Sequence, residues 1–113
     1  MMKLEYLQTA QAGLRWFRRY HRQNPQLDIA CAVAALRVAE TTLREFPMAG
    51  ERLEDMQAVR EIKITGTAFS LLYTVAQGTI LVIDLHDQRG LRSAEALRTF
   101  ARELRERYGI DPR

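Results

Sequence analysis

The stretch from Val59 to Gly90, VREIKITGTAFSLLYTVAQGTILVIDLHDQRG, decides the fold of this chain. Its segments either alternate between apolar and polar residues or are rich in β-branched and aromatic types, and Gly66 and Gly78 stand at the breaks. This pattern predicts three consecutive strands joined by two tight turns. Glycine suits the second turn, Gln77-Gly78, because it adopts the positive φ that a two-residue hairpin requires. An acid, a histidine and an arginine follow at the end of the stretch: Asp84, His86 and Arg89.

The residues before this stretch predict one short strand and two helices. The segment 3–8 has the pattern of the strand, and Thr9 is a suitable N-cap for the helix that follows. Asn24-Pro25 ends that helix and begins the second, because asparagine caps helices and proline is tolerated at a first helical position. Two helices with so short a link are expected to pack as an antiparallel hairpin. The second helix is predicted to stop at 47–50, and 51–58 to form an exposed loop.

The end of the chain predicts one more helix, from Ser93, a good N-cap, to Tyr108, with Gly109 as its stop. At 113 residues the chain is expected to form a single domain, 1–113, in which 91–113 is a C-terminal helical extension. The predicted fold class is α+β. Its element order is β-α-α-β-β-β, with an antiparallel sheet packed on the helical hairpin, followed by the C-terminal helix.

The composition excludes several classes of protein. No segment approaches the roughly 20 apolar residues of a membrane helix, and the N-terminus lacks the apolar run of a signal peptide, so a cytoplasmic protein is expected. One cysteine and two histidines give no pair at zinc-ligand spacing. There is no glycine-rich phosphate loop and no nucleophile elbow. We therefore expect no metal and no cofactor, and we expect Cys31 to be a small buried residue.

The net charge is only +3, but the positive charges are concentrated. The first helix carries four arginines and no acid, namely Arg15, Arg18, Arg19 and Arg22. A basic face of this kind attracts nucleic acid or an acidic protein, or is simply a solvated helix face.

One face of the predicted sheet carries the candidate functional residues. With Leu81, Ile83 and Leu85 turned towards the helices, the opposite face holds a polar set: Glu61, Lys63, Tyr73, Asp84 and His86, with Arg89 just beyond. This set either binds RNA phosphates and moves a proton, or supplies the wet face of an antiparallel sheet. An apolar patch on the same face is too large to stay exposed on a monomer, so the C-terminal helix or a partner should cover it: Phe69, Leu71, Val75, Ile80 and Val82.

Five segments, in the right order, resemble the RelE/ParE superfamily of type II toxin–antitoxin modules, most closely its ParE-like, plasmid stabilization branch. They span about residues 4 to 90: AQAGLRWFRRY (10–20), LREFPMAGERL (43–53), VREIKI (59–64), FSLLYTV (69–75) and ILVIDLHDQRG (80–90). The final helix extends beyond the usual ParE endpoint, so the resemblance implies no role for it.

The resemblance implies a small growth-inhibiting toxin in a hetero-oligomer with a cognate ParD-like antitoxin, whose segment would cover the apolar patch. ParE-type members poison DNA gyrase by binding, so the resemblance implies gyrase as the target and no catalytic residues. The residues expected to contact or shape the target site are Arg60, Lys63, Tyr73, His86 and Arg89.

Two alternatives remain open. RelE-type members cleave ribosome-bound mRNA, and in such an endoribonuclease His86 would be the acid/base, with Arg60, Lys63 and Arg89 on phosphate. Thr74 stands where many relatives carry an arginine, and Ser70 is neutral as well, which favours the non-catalytic interpretation. The other alternative is a toxin-fold protein that has lost its activity and serves as a binding module.

Overall fold

The computed structural model describes residues 1–88, 93–109 and 111. Its elements follow the predicted order, with three additions: a short strand, a 3-10 helix (Gln8–Ala10) before the first α-helix, and a π-helical turn (Leu104–Tyr108) at the end of the last helix. They are β1 (Lys3–Tyr6), α1 (Gln11–Gln23), α2 (Ile29–Glu45), β2 (Glu51–Arg52), β3 (Arg60–Lys63), β4 (Phe69–Ala76), β5 (Thr79–Asp87) and α3 (Ser93–Glu103).

The helical hairpin is confirmed, but its caps differ from those expected. Asp28, not Asn24-Pro25, caps α2: its carboxylate accepts from the backbone N–H of Ala30 at 2.9 Å. Asn24 instead ends α1, where its side chain donates to the carbonyl of Tyr20. Thr9 caps no helix, because its hydroxyl donates to the carbonyl of Ile83 and so fastens the start of α1 to the sheet.

The five strands form one sheet in the order β1-β5-β4-β3-β2. All neighbouring strands are antiparallel except β1 and β5, which run parallel. Gly78 adopts the positive φ predicted for this hairpin, at 73°, and Gln77 also has a positive φ, of 54°, which was not predicted. The segment 51–58 is not entirely loop, because Glu51 and Arg52 pair with β3 as the edge strand β2.

Helices cover both faces of this sheet. One face packs on the α1–α2 hairpin, with Phe17, Leu36 and Leu43 in the core between them. On the other face Leu72 and Ile83 pack with Phe100 and Leu104 from the C-terminal helix. The α+β fold class is therefore confirmed, with the hairpin and the C-terminal helix on opposite sides of the sheet.

The expected orientation of the sheet is wrong. The apolar patch lies under the α1–α2 hairpin as part of the chain's own core: Phe69, Leu71, Ile80 and Val82 are fully buried and Val75 is half-buried. Neither the C-terminal helix nor a partner is needed to cover it. In this fold the four fully buried members of the patch are not a surface on which an antitoxin could dock.

A β-bulge explains part of this error. Tyr73 pairs with Val82 but Leu72 pairs with Asp84, so Ile83 is an extra residue on β5. The bulge reverses the alternation of side chains along β5. Leu85 consequently packs on the same side as Val82, which strict alternation does not allow.

Candidate functional site

Two of the predicted target-binding residues, Arg60 and Tyr73, hold the turn that follows α2. The Tyr73 hydroxyl donates to the carbonyl of Pro47 and accepts from the N–H of Gly50, both at 2.8 Å. The Arg60 guanidinium donates to the carbonyl of Gly50 at 2.8 Å and to that of Met48 at 3.3 Å. Tyr73 is fully buried. These two side chains therefore position the segment 47–50, which we call the 47–50 turn.

Lys63 and His86 lie on the opposite face of the sheet from Tyr73. Ser70 pairs with Lys63 on one side and with His86 on the other, so these three residues form a row across β3, β4 and β5. Gln88 donates to the Ser70 hydroxyl at 3.1 Å. The predicted target-binding residues thus do not form one site, and Arg89 lies outside the described residues.

The Lys63–Ser70–His86 row lies beside a shallow surface depression of about 330 Å³. Its lining includes Lys63, Ser70 and Gln88, but also the carboxylates of Glu51 and Glu61. An RNA backbone is held by dense positive charge, and two acidic side chains oppose that. The depression is therefore a surface of mixed charge, better suited to a protein than to a polyphosphate.

Asp84, predicted to lie on the polar face, is buried against α1. Its carboxylate accepts from the N–H of Leu85 at 2.9 Å. A Cβ atom at Gly13 would stand only 2.3 Å from Asp84 Oδ1 and 3.0 Å from the backbone nitrogen of Leu85. Glycine at this position lets α1 approach β5 closely, and Asp84 belongs to that contact rather than to a surface cleft.

The basic face of α1 is exposed as predicted, and the members of this face are Arg15, Arg18, Arg19 and Arg22. The sequence between Gln8 and Leu27 places no acidic side chain among them. Exposed arginines grouped in this way steer an oppositely charged partner towards the helix.

A second exposed surface was not foreseen from the sequence. Val38, Phe46 and Met48 are 65%, 63% and 61% exposed. Phe46 follows the buried Leu43 by three residues, a spacing that would place it on the buried side of α2. It precedes Pro47, however, and a residue before proline is driven out of helical geometry. With φ of −130° and ψ of 78° it leaves the helix and turns to solvent. The Phe46-Pro47 pair in the sequence could have indicated that the helix ends at Phe46.

A cavity of about 420 Å³ lies between the hairpin and the β3–β4 turn, lined by residues that include Tyr20, His21, Cys31 and Gly66. Nδ1 of the buried His21 donates to the carbonyl of Phe17 at 2.7 Å. Cys31 is exposed, contrary to expectation, because its position on α2 faces away from the core.

Cys31 is not an activated nucleophile. Its thiol donates to the Asp28 carboxylate at 3.5 Å, and this hydrogen bond, with the charge of Asp28, raises the pKa of the thiol. The thiolate, the reactive form, is therefore disfavoured at neutral pH. In the part of the chain that the structure describes, no three histidine, cysteine or carboxylate side chains are grouped so that they could hold a metal ion.

We expect Cys31 to react faster with a disulfide reagent once Asp28 loses its charge. Asp28→Asn removes the negative charge and keeps a side-chain oxygen to cap α2, so the thiol pKa falls while the helix is retained. The measurement is the rate, at neutral pH, at which the reagent's own thiol is released when Cys31 attacks it. A rate equal to that of the original chain contradicts the assignment of Asp28 as the cause.

Two tyrosines with raised pKa values are expected to make the fold less stable in alkaline solution. Burial, together with the hydrogen bond to Glu40 and its charge, raises the pKa of Tyr6, and burial raises the pKa of Tyr73 from its ordinary value of 10.0. Above pH 10.0 the unfolded chain loses phenol protons that the folded chain keeps, so the free energy of unfolding falls as the pH rises; below that pH this contribution is constant.

The measurement is the urea midpoint at about pH 9 and about pH 11. The midpoint should fall between the two, and Tyr6→Phe should reduce that fall because the variant has one raised phenol fewer. A fall of the same size in Tyr6→Phe would contradict the role of Tyr6.

Among the described residues, no helix combines the length and apolar character needed to cross a membrane. Neither the family models nor the curated proteins give a significant match to the sequence. Among solved structures, the fold is similar to that of a chain from the "Chromosomal ParDE TA system from P. aeruginosa", with a TM-score of 0.63 and 19% sequence identity. The match covers 77% of this chain and 96% of the other. The match shows that the two chains share a fold, in agreement with the fold that the resemblance implies.

Proposed function

We propose that this chain is the toxin of a type II toxin–antitoxin module and that it inhibits growth by binding DNA gyrase. The observation that supports it is the fold match, which covers 96% of a chain from a ParDE system with a TM-score of 0.63. The five sequence segments that resemble the ParE-like branch are a second, independent support. Since gyrase acts on chromosomal DNA, the proposal places the chain in the cytoplasm.

The proposed partner is a ParD-type antitoxin. The buried position of the apolar patch means that the antitoxin needs another surface, and the basic face of α1 is the strongest candidate. Its four exposed arginines would attract an acidic segment, an electrostatic attraction that should weaken with added salt.

Inhibition by binding is favoured over catalysis because the described residues lack a dense cationic cleft. Lys63 lines a depression that two glutamates also line. His86 lies two strands away in the same row, and Arg60 and Tyr73 lie on the opposite face. In the proposal Lys63 and His86 contact the target, while Arg60 and Tyr73 act by positioning the 47–50 turn. Arg89 stays a candidate from the sequence.

The test is induced expression of the chain alone, followed by recovery of gyrase–DNA cleavage complexes from the arrested cells. Trapped complexes and growth arrest are expected, and co-expression of the cognate antitoxin should remove both. Arrest without trapped complexes contradicts gyrase as the target. No arrest at all favours the alternative in which the toxin fold serves only as a binding module.

A ribosome-dependent endoribonuclease is the second candidate, and the row of Lys63, Ser70 and His86 is the observation that favours it. A lysine could bind phosphate there, and a histidine on the neighbouring strand could transfer a proton. Primer extension on cellular mRNA would then show codon-linked cuts, which gyrase binding does not produce.

Substitution of His86 separates the two candidates. For a gyrase-binding toxin we expect His86→Ala to weaken growth arrest by less than about tenfold, since it removes one contact among many. In a nuclease that uses His86 as acid/base, the loss should be about 100-fold or more. His86→Gln is the matched control, because it can form a hydrogen bond but cannot transfer the proton; it should retain arrest only in the binding case. The inducer dose that halves growth is the measurement.

A further inference from the structure

The outer side of α2 is more apolar than a solvated helix face usually is. Ala30, Ala34 and Val38 are all exposed and follow one another at intervals of four residues. Phe46 and Met48 extend this strip beyond the end of the helix and are both more than 60% exposed. We call these five residues the outer α2 surface.

The outer α2 surface contains a depression that can receive a side chain of a binding partner. A shallow depression of about 280 Å³ lies in it, with Val38 and Phe46 among its lining residues. Beside the depression, the 47–50 turn that carries Met48 is fixed by Tyr73 and Arg60. A surface that is already rigid loses little conformational entropy when it binds.

The charges beside this surface are arranged in a self-complementary way. Arg37 and Glu45 are both exposed, both line the depression, and each lies four residues from Thr41, on opposite sides. When two such helices pack antiparallel about a two-fold axis at Thr41, Arg37 of each copy faces Glu45 of the other.

We propose that two copies of this chain associate through the outer α2 surface, antiparallel about a two-fold axis near Thr41. A two-fold interface uses the same patch twice, so it must complement itself. A positively charged partner would be repelled by Arg37, and a negatively charged partner by Glu45. A second copy avoids both repulsions, because its Glu45 faces Arg37 and its Arg37 faces Glu45. The contact is small, so the dimer should be weak and reversible. The proposal does not depend on the toxin assignment.

The test is sedimentation equilibrium of the purified chain over a range of concentrations. The original chain should self-associate, and Arg37→Glu or Glu45→Arg should each weaken association roughly tenfold, because each places like charges opposite one another. The double variant Arg37→Glu/Glu45→Arg should restore it. Both positions are exposed, so the fold is retained, which circular dichroism checks. Arg98→Glu on α3 makes the same change of charge elsewhere and should leave association unchanged.

Val38→Asp supplies an independent measurement, because it places a charge in the centre of the apolar strip; we expect it to abolish association. The proposal is overturned if the original chain stays monomeric at every concentration, or if the double variant associates no better than the single variants. It is also overturned if the chain is monomeric and Val38→Asp instead prevents antitoxin from co-purifying. In that case the surface serves the antitoxin.

Discussion

Phe69→Ala is expected to lower the free energy of unfolding by about 3–5 kcal/mol, the usual cost of removing a buried phenyl ring. Phe69 is fully buried, and its ring centroid lies 5.0 Å from that of Phe17 in an edge-on contact. The rings of Tyr20 and His21 lie at 5.7 and 5.6 Å. The substitution therefore leaves a cavity at the centre of an aromatic cluster that joins α1 to β4.

The matched control for this substitution is Phe46→Ala, which removes the same ring from a position that is 63% exposed. Thermal melting should show a loss of roughly 15–25 °C for Phe69→Ala and little change for Phe46→Ala. The comparison also tests the orientation of the sheet. If Phe69→Ala melts like the original chain and only loses binding to an antitoxin, the face under the hairpin is a docking surface after all.

Gly50→Ala is expected to destabilise the fold by about 2–3 kcal/mol through overpacking. A Cβ atom at this position would lie 2.7 Å from both Cε1 and the hydroxyl of Tyr73, and 2.8 Å from the carbonyl oxygen of Glu61. Because one of these atoms belongs to the backbone of β3, the clash cannot be relieved by a rotation of one side chain. The 47–50 turn must move away, and its hydrogen bonds to Tyr73 and Arg60 are lost.

A double-mutant cycle with Tyr73→Phe tests whether Gly50 and Tyr73 act as one unit. Removal of the Tyr73 hydroxyl alone should cost about 1–2 kcal/mol, because the buried groups of Pro47 and Gly50 lose a partner. The two substitutions break the same contact, so their combined effect on the urea midpoint should be smaller than the sum. If the two effects on stability were strictly additive, the added methyl group at Gly50 would not act through the Tyr73 hydroxyl.

The order of the elements could be predicted from local signals alone. The Gln77-Gly78 hairpin is indicated by glycine, which readily adopts positive φ, and the structure gives Gly78 a φ of 73°. The strand β2 was missed because its two residues are too few to show any period. Its pairing depends on Glu61 and Arg60 of β3, a contact that no local pattern records.

The assignment of sheet faces could not be made from alternation. Both faces of β4 and β5 carry apolar residues, because helices cover the sheet on both sides, and such strands do not indicate which face meets which helix. Phe69 and Leu71 fit either layer by size and polarity. The bulge at Ile83 reverses which side chains of β5 face each side of the sheet. The sequence does not reveal this bulge, because Ile83 is one of several consecutive apolar residues.

The candidate site was predicted in part. Lys63 and His86 are brought together through Ser70, as residues on adjacent strands can be, whereas Arg60 and Tyr73 were selected for the same polar character and belong to the opposite face. Their partners are backbone groups of the 47–50 turn, which is remote from β4 in sequence. Side-chain chemistry suggests the kind of contact a residue makes but not its partner.

The parallel pairing of β1 with β5 has a consequence for the order in which the chain folds. β5 leaves the ribosome long after β1, its pairing partner. The α1–α2 hairpin likewise can pack on the sheet only after β4 and β5 have been synthesised. Contacts so distant along the chain form late and slow folding. The N-terminal half therefore spends much of translation with its apolar side chains uncovered, a period in which chaperones would have access to it.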